Sequence, residues 1–123
     1  MSGSSVLIDT NILIYLFKGN ERIYELLRER DIWVSFITEM ELLAFDGHSA
    51  TELQTVKKFL AQCKIVDINR SIKDTAIDIR RSNKVKLPDA IIAATAHYLN
   101  IPLLTADKDF NAIDRIDIVL VDL

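Results

Sequence analysis

The sequence predicts an α/β fold: a three-layer α/β/α sandwich around a central, mostly parallel β-sheet. Three observations lead there. Short apolar, β-branched runs alternate with helical periodicities along the whole chain, the order expected of right-handed βαβ crossovers. One helical stretch, Pro88–Leu99, has almost no polar face, as a helix covered on most sides would. Gly and Pro together make up only five of the 123 residues, which leaves little room for long irregular segments.

The elements follow in order. Val6–Asp9 is a first strand that ends on an acid. Asn11–Phe17 and Glu21–Arg30 are helices; in the second, Ile23, Leu26 and Leu27 share one face while Glu25 and Glu29 point away. Ile32–Ser35 is the second strand. Thr38–Phe45 and Thr51–Cys63 are the next helices, separated by the turn signal Asp46-Gly47-His48. Ile65–Ile68 is the third strand, and Ser71–Ser82 lines Ile72, Thr75, Ala76 and Ile79 along one stripe. Pro88–Leu99 opens on a proline, at a position where a missing N–H costs nothing. Pro102–Thr105 and Asp117–Val121 complete the sheet. With no repeat, linker or low-complexity tract, residues 1–123 form a single domain.

Composition excludes several classes. Half of the residues are apolar, which argues against disorder. Cys63 is the only cysteine, so an intrachain disulfide is impossible and no Cys/His zinc pattern exists; a half-buried place near a helix end is expected for it. Met-Ser-Gly-Ser-Ser puts no basic region before Val6-Leu7-Ile8, so a secretory signal is not expected. The apolar stretches fall far short of the roughly 20 residues of a membrane span. A soluble, cytoplasmic protein without membrane contact is the expectation. The net charge of −3 hides an asymmetry: Lys57–Lys86 holds nine Lys and Arg against three Asp, while the remainder holds six basic and fifteen acidic residues. That segment, with Arg80, Arg81, Lys84 and Lys86 near its end, is either a solvated helical surface or a cationic face for an anionic polymer.

Four acids should meet at one sheet edge. In a doubly wound sheet the carboxyl ends of the strands lie along one edge, where functional sites form. Asp9 ends the first strand, and Asp107 follows Leu103-Leu104-Thr105-Ala106. Glu41 is placed in the first turn of the helix after the second strand, and Asp89 opens the buried helix. Each has a plain explanation taken singly. Asp9 and Asp107 fit N-caps, Thr38-x-x-Glu41 fits a capping box, and Asp89 complements a helix dipole. Together they are harder to explain, because clustered, partly buried carboxylates repel one another unless a cation neutralises them. Oxygen ligands without Cys or His suit Mg²⁺ or Mn²⁺ rather than zinc. His48, in a turn, and His97, near a helix end, are expected in structural or surface roles.

Four segments set these acids in longer motifs: Leu7-Ile8-Asp9-Thr10-Asn11-Ile12-Leu13, Ser35-Phe36-Ile37-Thr38-Glu39-Met40-Glu41-Leu42, Pro88-Asp89-Ala90-Ile91-Ile92-Ala93-Ala94-Thr95-Ala96 and Leu104-Thr105-Ala106-Asp107-Lys108-Asp109-Phe110. Through them the chain resembles the PIN-domain ribonucleases, and more narrowly the VapC-type toxins of type II toxin–antitoxin pairs. The resemblance covers nearly the whole chain. It implies an endoribonuclease with Mg²⁺ (or Mn²⁺) held by acids at Asp9, Asp89 and Asp107. Glu41 would be a ligand, directly or through water, or would orient the attacking water. Asp109 either joins them or caps the short helix that follows. Glu39 is set aside, since the family's acid directly precedes the leucine that is Leu42 here. Thr10, Asn11 and Thr105 resemble the polar residues that support the family's acids. The resemblance also implies an RNA substrate, a homodimer, and an antitoxin protein whose peptide blocks the acidic site, often through a basic residue. Ile14, Phe17 and Tyr24 are either a dimer surface or core. Arg80, Arg81, Lys84 and Lys86 become candidate RNA contacts.

Rival readings fit less well. An aspartate-based phosphatase usually carries a second acid two residues after the first, where this chain has Asn11. A phosphoacceptor receiver domain would want an acid pair near the start and a central phosphoacceptor. A PIN-fold protein that acts in RNA processing, or as a non-catalytic RNA- or protein-binding module, is the remaining alternative.

Overall fold

The computed structural model describes residues 4–123. Strands β1 (Ser5–Ile8), β2 (Asp31–Ser35), β3 (Lys64–Val66), β4 (Leu103–Thr105) and β5 (Ile118–Leu120) form one sheet in the order β3-β2-β1-β4-β5. Every pairing is parallel, so the expected mostly parallel sheet is parallel throughout. The helices are α1 (Thr10–Phe17), α2 (Glu21–Leu27), α3 (Phe36–Ala44), α4 (Ala50–Ala61), α5 (Arg70–Ser82) and α6 (Leu87–Leu99), with a 3₁₀ turn at Lys108–Ala112.

The pleat sorts the strand residues between two cores. Leu7 pairs in register with Trp33 and with Leu103, and all three face the layer of α5 and α6. Val6, Ile8, Val34 and Leu104 face the other way, onto α1, α2 and α4. Both faces are covered, which is why the strands are short apolar runs rather than alternating ones. Helix α6 explains its own composition: Ala90, Ala93, Ala94 and Ala96 are buried against the sheet and α5, and larger side chains would hold those layers apart. The helix stops at Asn100, whose left-handed backbone (φ 55°, ψ 45°) lets its N–H bond back to the Ala96 and His97 carbonyls.

Several element boundaries shift from the sequence reading, and two of the shifts are informative. The expected Glu21–Arg30 helix ends at Leu27, because Arg28 turns extended and Glu29 adopts a left-handed conformation at φ 66°. Helix α3 begins at Phe36, two residues before the expected start. Its N-cap is Ser35, whose hydroxyl accepts from the Ile37 N–H at 3.1 Å. Cys63 lies just past the end of α4, partly buried, with burial pushing its thiol up to about 11. Among the described residues no helix is long and apolar enough to cross a membrane.

This topology fixes one location. The chain builds outward from β1 through β2 to β3, crosses back over the sheet through α5 and α6, and continues outward on the other side through β4 and β5. The strand order therefore reverses between β1 and β4. At such a switch point the loops leaving the two strands diverge to opposite faces and open a crevice. Leu7 sits at the centre of this arrangement with no exposed surface. Leu7→Ala is expected to cost about 3 kcal/mol in urea unfolding, from lost burial plus the cavity left behind.

Candidate active site

The crevice outside the carboxyl ends of β1 and β4 is a cavity of about 740 Å³, and Asp9, Glu41, Asp89 and Asp107 all line it. Asp9 is the residue after β1 and also the N-cap of α1, with one carboxylate oxygen accepting from the Thr10 N–H at 2.8 Å. Its other oxygen accepts from the Thr105 hydroxyl, at the end of β4, at 2.7 Å. Thr105 also accepts from the Asp107 N–H at 3.0 Å, so one buried hydroxyl ties the two acid-bearing segments together.

Glu41 arrives from β2 by way of α3. Because α3 starts at Phe36, Glu41 lies in its second turn rather than its first, and Ser35 rather than Thr38 caps it. The capping-box explanation of Glu41 is therefore overturned. The Glu41 carboxylate instead accepts from the Thr10 hydroxyl at 2.6 Å. Thr10 Oγ1 also lies 2.9 Å from Thr38 Oγ1; a hydroxyl has one proton, so Thr38 donates here while Thr10 donates to Glu41. Sequence reasoning missed this role for Thr38, which is fully buried. Its local pattern matches a cap, and only the position of α3 shows otherwise.

Asp89 stands in the first turn of α6, which has Lys86 at its N-cap and no side-chain capping bond. The helix dipole favours its charged form by about 0.3–1 kcal/mol. Desolvation works against that charge, as do Asp9, Asp107 and Glu41 in that order, and the carboxyl is pushed up to about 6 despite the opposing charge of Lys86. Repulsion and burial win over the dipole. Asp9 is raised as well, chiefly by burial; its bonds from Thr105 and Thr10 hold it down, and the charges of Asp107 and Glu41 add to the rise.

Asp107 caps the 3₁₀ turn by accepting from the Asp109 N–H at 2.9 Å. Asp109 is exposed, does not cap that turn and lies outside the cavity, as does Glu39. Asn11 lines the cavity beside Thr10. Of the candidate basic contacts only Lys86 does so; Arg80, Arg81 and Lys84 are exposed and stand apart from it. Ile14 and Phe17 belong to the apolar part of the lining, with Leu42, Phe45 and Val56, whereas Tyr24 is exposed elsewhere. His48 lines the cavity in a structural role, with Nε2 2.9 Å from the Leu42 carbonyl, and His97 is exposed near Arg115. Lys18, Phe45 and His48 were not singled out from the sequence as site residues, since no local motif marks them.

The donor set bears on the metal. All four acids offer oxygen and no Cys or His accompanies them as a soft ligand, which suits Mg²⁺ or Mn²⁺. Among the described residues, no three His, Cys, Asp or Glu side chains stand arranged as a ready cage. An open arrangement is compatible with Mg²⁺, which keeps several waters and takes only one or two carboxylates directly. An ionised carboxylate can accept about four hydrogen bonds, so Asp9 with two engaged retains ligating capacity.

Known proteins share this fold. Residues 6–116 match the PIN domain family. No curated protein matches the chain. Among solved structures, a chain of a toxin–antitoxin complex from Klebsiella pneumoniae is 34% identical with a TM-score of 0.81, over 93% of this chain and 95% of that one. VapBC-1 from nontypeable Haemophilus influenzae contains a chain 26% identical with a TM-score of 0.78, over 94% and 97%. VapBC2 from Rickettsia felis, solved bound to a DNA fragment from its promoter, contains one 21% identical with a TM-score of 0.84, over 96% and 99%. With the family's pattern spanning nearly all of its length, and with its fold shared by these complexes, the chain belongs to the PIN domain family.

Proposed function

We propose that this protein is a metal-dependent endoribonuclease, the toxin of a toxin–antitoxin pair. One observation supports this reading above the others: four carboxylates from four separate chain segments share one cavity at the switch point of the sheet, where desolvation and then the other three charges raise the Asp89 carboxyl to about 6. That arrangement costs stability and makes sense where a cation offsets it. The likeness to chains of toxin–antitoxin complexes supports the toxin assignment and an antitoxin as partner.

Asp9, Asp89 and Asp107 would hold Mg²⁺ or Mn²⁺, with Glu41 as a further ligand or as the group that orients the attacking water. The ion, when bound, lowers the pKa of water and polarises the phosphoryl oxygen. The chain's own residues do the rest. Thr105 fixes the orientation of Asp9, and Thr10 fixes Glu41. Asn11 is available to hydrogen-bond a phosphate oxygen, and Lys86, beside Asp89, to pair with a flanking phosphate. No side-chain nucleophile is required.

Asp9→Asn removes a charge and little volume. It is expected to abolish Mg²⁺-dependent cleavage of RNA while the circular dichroism spectrum stays unchanged; retained chelator-sensitive cleavage would overturn the site. A second expectation concerns pH. Folding favours the neutral form of Asp89, so its contribution to stability is complete below about pH 4 and is lost as pH rises through about 6. In chelator, the melting temperature should fall over that window. Solvent screening of this partly exposed group leaves about 1 kcal/mol, or about 4 °C. Asp89→Asn should reduce that fall, leaving the part due to Asp9, and Mg²⁺ should reverse it in the unmodified protein.

Apart from Lys86, the basic segment lies outside the cavity and acts, in this reading, on distant phosphates. Replacing Arg80 and Arg81 together with Glu should weaken RNA binding and flatten its salt dependence by about two units of slope. An unchanged slope would make them a solvated face only.

A further inference from the structure

We propose that Phe45 is a base-stacking residue, positioned by Gly47 and His48 to receive the nucleobase beside the scissile phosphate of single-stranded RNA. The proposal rests on the ribonuclease reading above and names a residue that selects and orients its substrate.

Exposure alone would not single Phe45 out, since lone apolar side chains on a surface are ordinary. What distinguishes this ring is that it is both 58% exposed and held in place. Phe45 ends α3 in an extended conformation, and the chain then turns back beneath its ring. Gly47 makes that possible: a Cβ there would stand 2.6 Å from Phe45 Cε2 and closer still to Cζ. The His48 ring meets Phe45 edge-on, with centroids 4.9 Å apart and planes at 82°. His48 is fixed in turn by donating from Nε2 to the Leu42 carbonyl at 2.9 Å, one of the acceptors that a helix end leaves free. The sequence Phe45-Asp46-Gly47-His48 is thus more than a turn. It immobilises an aromatic ring in advance, so a ligand stacking on it loses less entropy.

The neighbours of this ring indicate the occupant. Phe45, Gly47 and His48 line the same cavity as the four acids. A phosphodiester presented to those acids must lay its adjoining nucleosides along the cavity wall, because each base lies one backbone step from the phosphate. Unstacked bases of single-stranded RNA find aromatic faces as their usual partners, with little dependence on sequence. Lys18 and Lys86 line the same cavity and offer opposite charge to flanking phosphates. Acids, cations and an exposed fixed ring around one crevice match a nucleotide, piece by piece.

The test is steady-state cleavage of a short fluorescein-labelled single-stranded RNA by the full chain in Mg²⁺, with a second substrate lacking the base beside the cleaved bond. Phe45→Ala should raise KM about tenfold on the intact RNA and leave kcat within about twofold. Phe45→Trp should keep KM near that of the unmodified protein. Gly47→Ala, which displaces the ring without touching the acids, should raise KM by at least about threefold. On the abasic substrate the unmodified protein and Phe45→Ala should become equal, which a merely structural role for Phe45 would not produce. Equal KM values on intact RNA, or the same loss on both substrates, would overturn the proposal while leaving the nuclease standing. So would an unchanged KM accompanied by weakened binding of an inhibitory protein partner, which would assign the ring to that partner. If the unmodified protein neither cleaves nor binds the RNA, measured separately by fluorescence anisotropy, the ribonuclease reading falls and this proposal with it.

Discussion

A single hydrogen bond sits where the fold and the site meet: the Thr105 hydroxyl donates to Asp9 across the junction of β1 and β4. The two residues are far apart in sequence and come together because the strand order reverses between these strands. The bond fixes the Asp9 carboxylate, partly offsets the cost of burying it, and through the Asp107 amide links a second acid to the same hydroxyl. Loss of parallel pairing between β1 and β4 would break all three effects together. The rigid sheet is thus what allows negative charge to be concentrated beneath it.

That concentration is unfavourable in isolation. Asp89 is raised by burial and by three like charges, against both a helix dipole and a nearby lysine. The rest of the molecule is well placed to sustain it. Two apolar cores cover both sheet faces, and the small residues of α6 let that helix approach closely enough to deliver Asp89. Strain of this kind concentrates at functional sites because the surrounding packing over-determines the geometry.

The cavity lining combines two kinds of chemistry. Carboxylates from the end of β1, α3, α6 and the segment after β4 supply one, and Ile14, Phe17, Leu42, Phe45 and Val56 the other. A substrate that is anionic along its backbone and apolar at its bases has uses for both, once a cation screens the acids. An antitoxin segment with a basic group and apolar neighbours would complement the same combination. Substrate and inhibitor would then compete for one crevice, and the toxin reading gains an economical means of control.

Much of this was legible in the amino-acid order. The apolar runs that became strands, the alanine-rich helix, and the four acids at Asp9, Glu41, Asp89 and Asp107 follow from periodicity and from the rule that strand ends converge, because those signals are local or topological. Three features were not. The sequence offered Thr38 as a cap, yet Ser35 performs that role and Thr38 reaches Thr10 instead, since a helix start depends on where the preceding strand stops hydrogen bonding. Asp107 was the preferred acid because it comes sooner after the strand, but whether Asp109 joins it was open in the letters; the path of the 3₁₀ turn leaves Asp107 lining the cavity and Asp109 outside it. Arg80 and Arg81 belonged to a basic run that ended beside the acids, but of that run's final residues only Lys86 reaches the cavity. Residue type and spacing determined which chemistry was available. Tertiary structure decided which groups share it, because distance between side chains is set by packing across elements and not by separation along the chain.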